Sequence, residues 1–235
     1  MLNASVCPAS LETVRRVSSV VNNVSTLRGW LSAWRHLHIL ARVPWAGDGD
    51  AHLFAARAGL ARMASPPPPR ARMRSKRLQF VLKRCVELDL YDLGAAAALA
   101  YIFGLRVPSE LLSQASASLF KLRGRSRILY GPIRRKGKRE SSTLSRYCCC
   151  ASRPLLCAHP WVAYLHEQRS QGRCFTFTAS HLMHRLRPIL LESGIPPAEM
   201  PRWSSHCFRR GSGVDVLEEH GISAMVHHGE WADPR

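Results

Sequence analysis

Apolar side chains recur at intervals of three and four residues near the start of the chain. Residues 26–43 show this spacing, and its members are Leu27, Trp30, Leu31, Trp34, Leu37 and Leu40. Because side chains three and four apart share one helix face, the pattern predicts an amphipathic helix that ends at Pro44. A turn signal, GDGD, follows at residues 47–50, and residues 51–64 predict a second, shorter helix.

A proline-rich and basic segment interrupts this helical pattern. Residues 65–77 read SPPPPRARMRSKR, with four consecutive prolines. Proline cannot continue a helix and favours a stiff, extended connector. We therefore predict a linker at residues 66–77, between a partial N-terminal helical segment at 1–65 and a larger domain at 78–235.

The larger domain shows several helical patterns and one hairpin. Residues 126–147 contain two short extended runs around a Lys/Gly turn, which predicts a β-hairpin. Helices are predicted at residues 78–92, 93–116, 159–172, 179–194 and 203–221. The expected fold is mostly α with a small antiparallel β-hairpin or sheet, an α+β class.

Composition points to a polyanionic partner. The 235 residues include 34 Lys and Arg against 16 Asp and Glu, a formal net charge of +18. Such an excess favours nucleic acid or an anionic membrane surface. The longest apolar run, residues 93–105, is shorter than the roughly 20 residues that span a bilayer, so we expect no membrane partner. Eight cysteines, three of them consecutive, do not form a spaced disulfide framework, which favours a reducing compartment.

Four short motifs combine basic and hydrogen-bonding side chains. They are GLRVPSELL at residues 104–112, RRKGKR at 134–139, HCFRRGSG at 206–213 and HHGEW at 227–231. Each alone has an ordinary explanation: an ion pair of Arg106 with Glu110, a solvated turn, a basic helix face and a core tryptophan. The H-x-x-R spacing predicts one helix face for its His and Arg. Gly211 and Gly213 leave room for close packing or backbone approach.

Taken in order, the four motifs resemble the tyrosine recombinase, or phage-integrase-like, family. That family carries an Arg in a GLR-x-SE-L box, a Lys on a β-hairpin, an H-x-x-R box, a His or Trp, and a nucleophilic Tyr. The resemblance spans residues 78–235 and is strongest to eukaryotic mobile-element recombinases of the Crypton type. GLRVPSELL departs from the family box by one extra residue between Arg and SE.

The resemblance implies a site for DNA strand exchange. Its catalytic residues would be Arg106, Lys136, His206, Arg209 and Trp231, with Lys138 as the alternative lysine. Guanidiniums would hold the non-bridging phosphate oxygens, His206 and Trp231 would donate hydrogen bonds, and Lys136 would protonate the leaving 5′ oxygen. The chemistry would need no metal, because its cations are side chains.

The resemblance also implies a protein that binds double-stranded DNA, with a homo-oligomer assembled on the DNA. We expect the protein to be nuclear if it is eukaryotic, and cytoplasmic otherwise. The basic residues expected to contact DNA are Arg70, Arg72, Arg74, Lys76, Arg134, Arg135, Lys138 and Arg210. The family's nucleophilic Tyr follows the His or Trp position, whereas the tyrosines here are at 91, 101, 130, 147 and 164. We therefore expect this chain to form no covalent phosphotyrosyl intermediate unless a neighbouring subunit supplies the Tyr.

A cysteine-rich run, CCCASRPLLCAHP, lies between the hairpin and the next helix. Cys148, Cys150, Cys157 and His159 follow a C-x-C, x₆, C-x-H pattern that could form a tetrahedral zinc site. Reduced thiols in a loop are the alternative. Two other functions also remain open: a non-catalytic, sequence-tolerant DNA-binding remnant, and a basic nucleic-acid-binding protein with a zinc knuckle.

Overall fold

The structure is a computed structural model that describes residues 10–45, 47–63, 69–124, 126–135, 140–168 and 172–229. Lys136, Lys138 and Trp231, three of the predicted site residues, lie outside these ranges. The chain forms two compact units that divide between Pro68 and Pro69.

The first unit contains three helices in its described residues. They are α1 (Leu11–Val20), α2 (Val24–Leu40) and α3 (Ala51–Met63). The predictions of α2 and α3 are confirmed, whereas α1 was not predicted. Asn23 caps the start of α2, because its side-chain oxygen accepts hydrogen bonds from the backbone N–H groups of Ser25 and Thr26. Val14 and Leu53 are the buried apolar residues of a small core.

The second unit combines five helices with one sheet in its described residues. The helices are α4 (Ser75–Glu87), α5 (Tyr91–Ile102), α6 (Ala158–Gln168), α7 (Ala179–Glu192) and α8 (Cys207–Gly229). The strands are β1 (Phe120–Arg123), β2 (Arg127–Arg134) and β3 (Ser141–Tyr147). This composition is mostly helical with a small three-stranded antiparallel sheet, in agreement with the predicted α+β class.

Helix α5 lies at the centre of this unit. Every side chain from Leu93 to Tyr101 is buried, and α4, α6, α7 and α8 all pack against the helix. A helix that is apolar all round suits such a position, and its alanines let neighbouring helices approach closely. At Gly94 even a Cβ atom would lie 3.0 Å from the Trp161 ring.

The chain turns sharply after α5, although the sequence pattern predicts one helix over residues 93–116. Gly104 has φ of +61°, and the N–H of Leu105 reaches back to the carbonyl of Ala100 at 2.8 Å. This left-handed glycine ends the helix. The chain continues as a short π-helical segment, Val107–Leu112. Pro108 lies in its first turn, where a missing N–H is tolerated. The turn places Arg106 and Glu110 beside the end of α5.

The sheet has the strand order β1-β2-β3, with both pairs antiparallel. Phe120 on β1 faces Tyr130 on β2, and their rings stack at 4.4 Å between centroids. The β2–β3 hairpin is confirmed, whereas β1 was not predicted. The register shifts between Tyr130 and Ile133.

Two predicted helix boundaries also differ from the structure. The predicted helix at residues 78–92 is instead α4, which ends at Glu87 before Asp89 with φ of +53°. Helix α8 begins at Cys207, later than the predicted start near Ser204 or Ser205. Its backbone is interrupted at Gly221 (φ of +82°), where the sequence predicted the helix to end, and a second helical piece continues to Gly229. His206 therefore precedes α8, and its carbonyl accepts the Arg210 N–H at 3.1 Å.

The first turn of α8 packs directly against the backbone that leads into α4. The N–H of Met73 donates to the Cys207 carbonyl at 2.9 Å. A Cβ atom on Gly211 would lie 1.8 Å from the Met73 carbonyl oxygen. The prediction of close backbone approach is thus confirmed at Gly211. This contact holds the helix start that carries Arg209.

We expect Gly211→Ala to lower the melting temperature of the chain. The added methyl group clashes with backbone that has no rotamer to change, and overpacking of this kind typically costs about 1–3 kcal/mol or more. Gly59→Ala in α3 is the control, because nothing lies within 4 Å of the added Cβ. Thermal unfolding followed by circular dichroism compares the two. An equal response in both variants would contradict the close contact at Gly211.

Candidate phosphate-binding site

Three arginines surround one buried carboxylate at the end of α5. Glu110 is completely buried, and its Oε1 lies 2.6 Å from Arg106 Nη1. Its Oε2 lies 3.1 Å from Arg135 Nη2 and 3.6 Å from Arg209 Nη1. We call these three arginines and Glu110 the arginine cluster.

The sharp turn at Gly104 supplies the second anchor of the arginine cluster. The Gly104 carbonyl accepts hydrogen bonds from Arg135 at 3.2 Å and from Arg209. The backbone N–H of Arg106 donates to Glu110 Oε2 at 3.0 Å. The cluster thus joins the end of α5, the end of β2 and the first turn of α8. Guanidiniums of the first, second and third sequence motifs meet here.

The charges in the cluster decide the ionisation of Glu110. Burial alone would raise the pKa of this carboxyl. The hydrogen bonds from Arg135 and the Arg106 backbone, with the charges of Arg135 and Arg209, outweigh burial and hold the pKa of Glu110 below its usual range. Glu110 is therefore an anion that balances part of the surrounding positive charge.

The arginines differ in their access to solvent. The Arg106 side chain is 28% exposed, whereas those of Arg209 and Arg135 are 8% and 3% exposed. Arg106 therefore forms the outer edge of the cluster. Arg135, which follows the end of β2 and which we predicted to contact DNA, is instead buried and paired with the Glu110 carboxylate.

His206 is exposed beside this edge, among several positive charges. Partial desolvation lowers the pKa of His206, and the charges of Arg210, Arg106, Arg209 and Arg70 lower it further. The imidazole is therefore mainly neutral at pH 7. A neutral imidazole offers one donor and one acceptor, and an anion placed among these cations would favour its protonated form.

His228 is a neighbour of the cluster that the sequence analysis did not select. Its Nε2 lies 2.6 Å from Ser212 Oγ, and its ring lies 3.3 Å from the position of a Cβ on Gly104. Burial, together with the charges of Arg146, Arg209 and Arg135, lowers the pKa of His228 to about 3. His228 is thus a neutral packing partner. The HHGEW motif contained it, but only folding shows which of its residues reaches Gly104.

The other predicted DNA-binding residues fall into two groups. Arg70, Arg72, Lys76 and Arg134 are exposed, and Arg210 is half-buried, 3.5 Å from the Ala71 carbonyl. Arg74 instead pairs with Asp215 and Glu218 on α8. These two carboxylates tie the start of α4 to α8, so Arg74 has a structural role as well as a position near the surface.

Two tyrosine hydroxyls near the arginine cluster and α8 already donate hydrogen bonds to other groups of the protein. Tyr130 is fully buried and donates to the Glu110 backbone carbonyl at 2.5 Å. Tyr101 donates to Asp215. Burial raises the pKa of both phenols. Neither hydroxyl is presented to solvent beside Arg106 and His206.

Three of the four predicted metal ligands converge elsewhere in the same unit. The Sγ atoms of Cys148, Cys150 and Cys157 all lie within 4.8 Å of one another, and this cysteine cluster could hold a metal ion. The imidazole of His159 is not part of this group. Burial opposes ionisation of Cys157, but hydrogen bonds from the His159 and Cys149 amides and the neighbouring thiols lower its pKa.

The comparisons with known proteins assign no family. No protein-family model matches the chain, and no curated protein matches it. Across the described residues, every helix is too short or too polar to cross a membrane.

We expect Glu110→Gln to destabilise the fold. The substitution removes the charge that three guanidiniums share, and loss of one partner from a buried ion pair typically costs about 3–5 kcal/mol. Glu192→Gln is the control, because Glu192 pairs with Arg84 at the surface, where such pairs are worth about 0–1 kcal/mol. Urea unfolding at neutral pH measures both changes.

The same variants test the ionisation of Glu110. Since folding lowers its pKa, the stabilisation is fully present above the unfolded value of about 4.3 and is lost as the pH falls through the folded pKa. The difference between wild type and Glu110→Gln should therefore shrink only in this acidic range. A difference that stays constant down to strong acid would contradict a charged Glu110.

Proposed function

We propose that this chain is a DNA-binding protein of the tyrosine recombinase type, which acts in recombination and integration of a mobile element. In this proposal, Arg106, Arg209 and His206 bind a backbone phosphate of double-stranded DNA. The observation that carries the proposal is the arrangement around Glu110. Residues from two motifs that are far apart in sequence bring their cationic groups to one place.

The charge balance of the site supports an anionic ligand. Glu110 is one carboxylate among the three guanidiniums of the arginine cluster. Arg70 and Arg210 add positive charge close enough to shift His206. A partly exposed guanidinium such as Arg106 still has N–H groups available to solvent, in the fork geometry that matches phosphate oxygens.

The composition agrees with a backbone-directed mode of binding. The net charge of +18 and the exposed residues Arg70, Arg72, Lys76 and Arg134 favour contacts with several phosphates. Such contacts position a protein on duplex DNA without reading its sequence. The proposal assigns no metal to the phosphate site. Any zinc ion at the cysteine cluster would have a structural role.

A non-catalytic DNA-binding protein is the second candidate. The observation that favours it is the engagement of Tyr101 and Tyr130, whose hydroxyls are buried and hydrogen-bonded. Both candidates require the same phosphate site and the same duplex ligand. They differ in whether a tyrosine reaches the bound phosphate.

We expect Arg106→Ala to weaken binding to a fluorescently labelled DNA duplex. Loss of a phosphate contact should reduce affinity about 5- to 100-fold and lower the slope of log affinity against log salt by about 1. The fold should survive, because Arg135 and Arg209 still pair with Glu110. Fluorescence anisotropy over a range of salt concentrations measures both quantities.

Arg187→Ala is the matched control for this experiment. Arg187 carries the same charge in the same unit and is exposed on α7. Equal losses in the two variants would make Arg106 ordinary surface charge and would contradict the phosphate site. Binding that is insensitive to salt would contradict DNA binding by this surface altogether.

We expect binding to strengthen as the pH falls through the range in which His206 titrates. The pKa of free His206 lies below about 6.5, and a bound phosphate would raise it by favouring the imidazolium. The complex then takes up a proton, and affinity changes up to about tenfold for each unit of pKa difference.

In the His206→Gln variant, the affinity for DNA should no longer change with pH in this range. His184→Gln, at an exposed position on α7, should retain the pH dependence. If His206→Gln keeps the full pH dependence, His206 does not contact the bound phosphate.

A further inference from the structure

The cysteine cluster joins two segments that are separate from the phosphate site. Cys148 and Cys150 follow the end of β3, and Cys157 directly precedes α6. Their sulfur atoms nevertheless lie within 4.8 Å of one another. Packing of the segment after β3 against the segment before α6 does not by itself explain why three thiols lie so close together.

The spacing of the sulfurs matches metal coordination. A tetrahedral zinc ion with Zn–S bonds of about 2.3 Å places its sulfur ligands about 3.8 Å apart. The Sγ atoms of Cys148 and Cys157 lie 3.6 Å apart, close to this value. All three cysteines are free thiols, and a disulfide could join only two of them.

Backbone donors surround the sulfur at the centre of this arrangement. Cys157 Sγ accepts the backbone N–H of Cys149 at 3.3 Å. It also accepts the backbone N–H of His159. Such bonds stabilise negative charge on sulfur, and the thiolate is the form that binds a metal. The local backbone thus places two N–H donors at the Cys157 sulfur.

The first turn of α6 offers a fourth ligand. The His159 amide already donates to Cys157 Sγ, so the His159 side chain begins beside the cluster. Its imidazole is half-buried and is not yet among the convergent ligand atoms.

We propose that Cys148, Cys150 and Cys157 bind one zinc ion and that His159 completes a tetrahedral site. Three thiolates and one imidazole form a ligand set that suits zinc in structural sites. The ion would close the loop from Cys148 to Cys157 and would fix the end of β3 to the start of α6. This role is independent of the phosphate site and needs no DNA.

The first test measures metal binding by the full-length chain. The chain is prepared with reduced thiols, stripped of metal, and titrated with Zn²⁺ or with Co²⁺ as a spectroscopic probe. We expect one equivalent of zinc. Bound Co²⁺ should show the intense visible bands of a tetrahedral site and a sulfur-to-metal charge-transfer band. An absence of stoichiometric binding, or an octahedral Co²⁺ spectrum, would overturn the proposal.

Single substitutions then identify the ligands. Cys157→Ser and Cys150→Ser should each weaken zinc binding by at least about 100-fold, the upper range for loss of an outer-shell partner. Cys149→Ser is the matched control from the same triplet. The Cys149 thiol is not among the convergent ligand atoms, and it contacts the carbonyls of Arg153 and Leu156, each at 3.8 Å. The Cys149→Ser variant should therefore bind zinc as tightly as the wild type.

His159→Ala distinguishes the fourth ligand. It should weaken zinc binding and shift the Co²⁺ bands, with the charge-transfer intensity of three thiolates retained. Unchanged binding in His159→Ala, or lost binding in Cys149→Ser, would overturn the assignment of His159. Circular dichroism of each metal-free variant separates a lost ligand from a lost fold.

The zinc site can be tested independently of DNA binding. Zinc should raise the melting temperature of the wild type in the absence of DNA, because a ligand that binds only the folded state stabilises it. Cys157→Ser should lose this shift. A chain that binds DNA with a salt dependence but shows no zinc-dependent shift would contradict the zinc site alone.

Discussion

Burying the Glu110 carboxylate removes it from water, at a cost of several kcal/mol that only close cations can offset. Arg106, Arg135 and Arg209 supply these cations from three different elements. Because each guanidinium needs the carboxylate and the carboxylate needs them, the four groups constrain one another. The end of α5, the end of β2 and the start of α8 are therefore held in one relative position.

The same interaction sets up the chemistry of the surface beside it. The Glu110 carboxylate balances only part of the positive charge. The remaining charge reaches the surface at Arg106 and lowers the pKa of His206. Arg135 and Arg209 lie in the interior next to Glu110, where burial keeps their positions fixed. Under the proposed function, these donors would already be in place before a phosphate arrives.

Close packing provides the second constraint on the site. Gly104 allows the left-handed turn whose carbonyl receives two guanidiniums, and Gly211 lets α8 meet the backbone at Met73. Neither position tolerates a side chain without a shift of neighbouring atoms. In the cysteine cluster, thiols that follow β3 and a thiol that precedes α6 lie within 4.8 Å of one another.

The sequence by itself determined the class of the fold, the hairpin and most helices, because apolar periodicity reports which faces must be buried. It also identified Arg106, His206, Arg209 and the four candidate metal ligands as groups of interest, and three of those ligands converge in the structure. Tertiary structure alone decided how these groups are used. Arg135 turns inward to Glu110, Arg74 binds two carboxylates on α8, and His228 packs on Gly104. For the two arginines, the physical reason is that a charged side chain pairs with the nearest opposite charge in space. The position of the neutral His228 is instead set by packing and by its hydrogen bond with Ser212. The strand β1 and the turn after α5 escaped prediction for a related reason. They depend on a partner strand and on a glycine conformation that local periodicity does not encode.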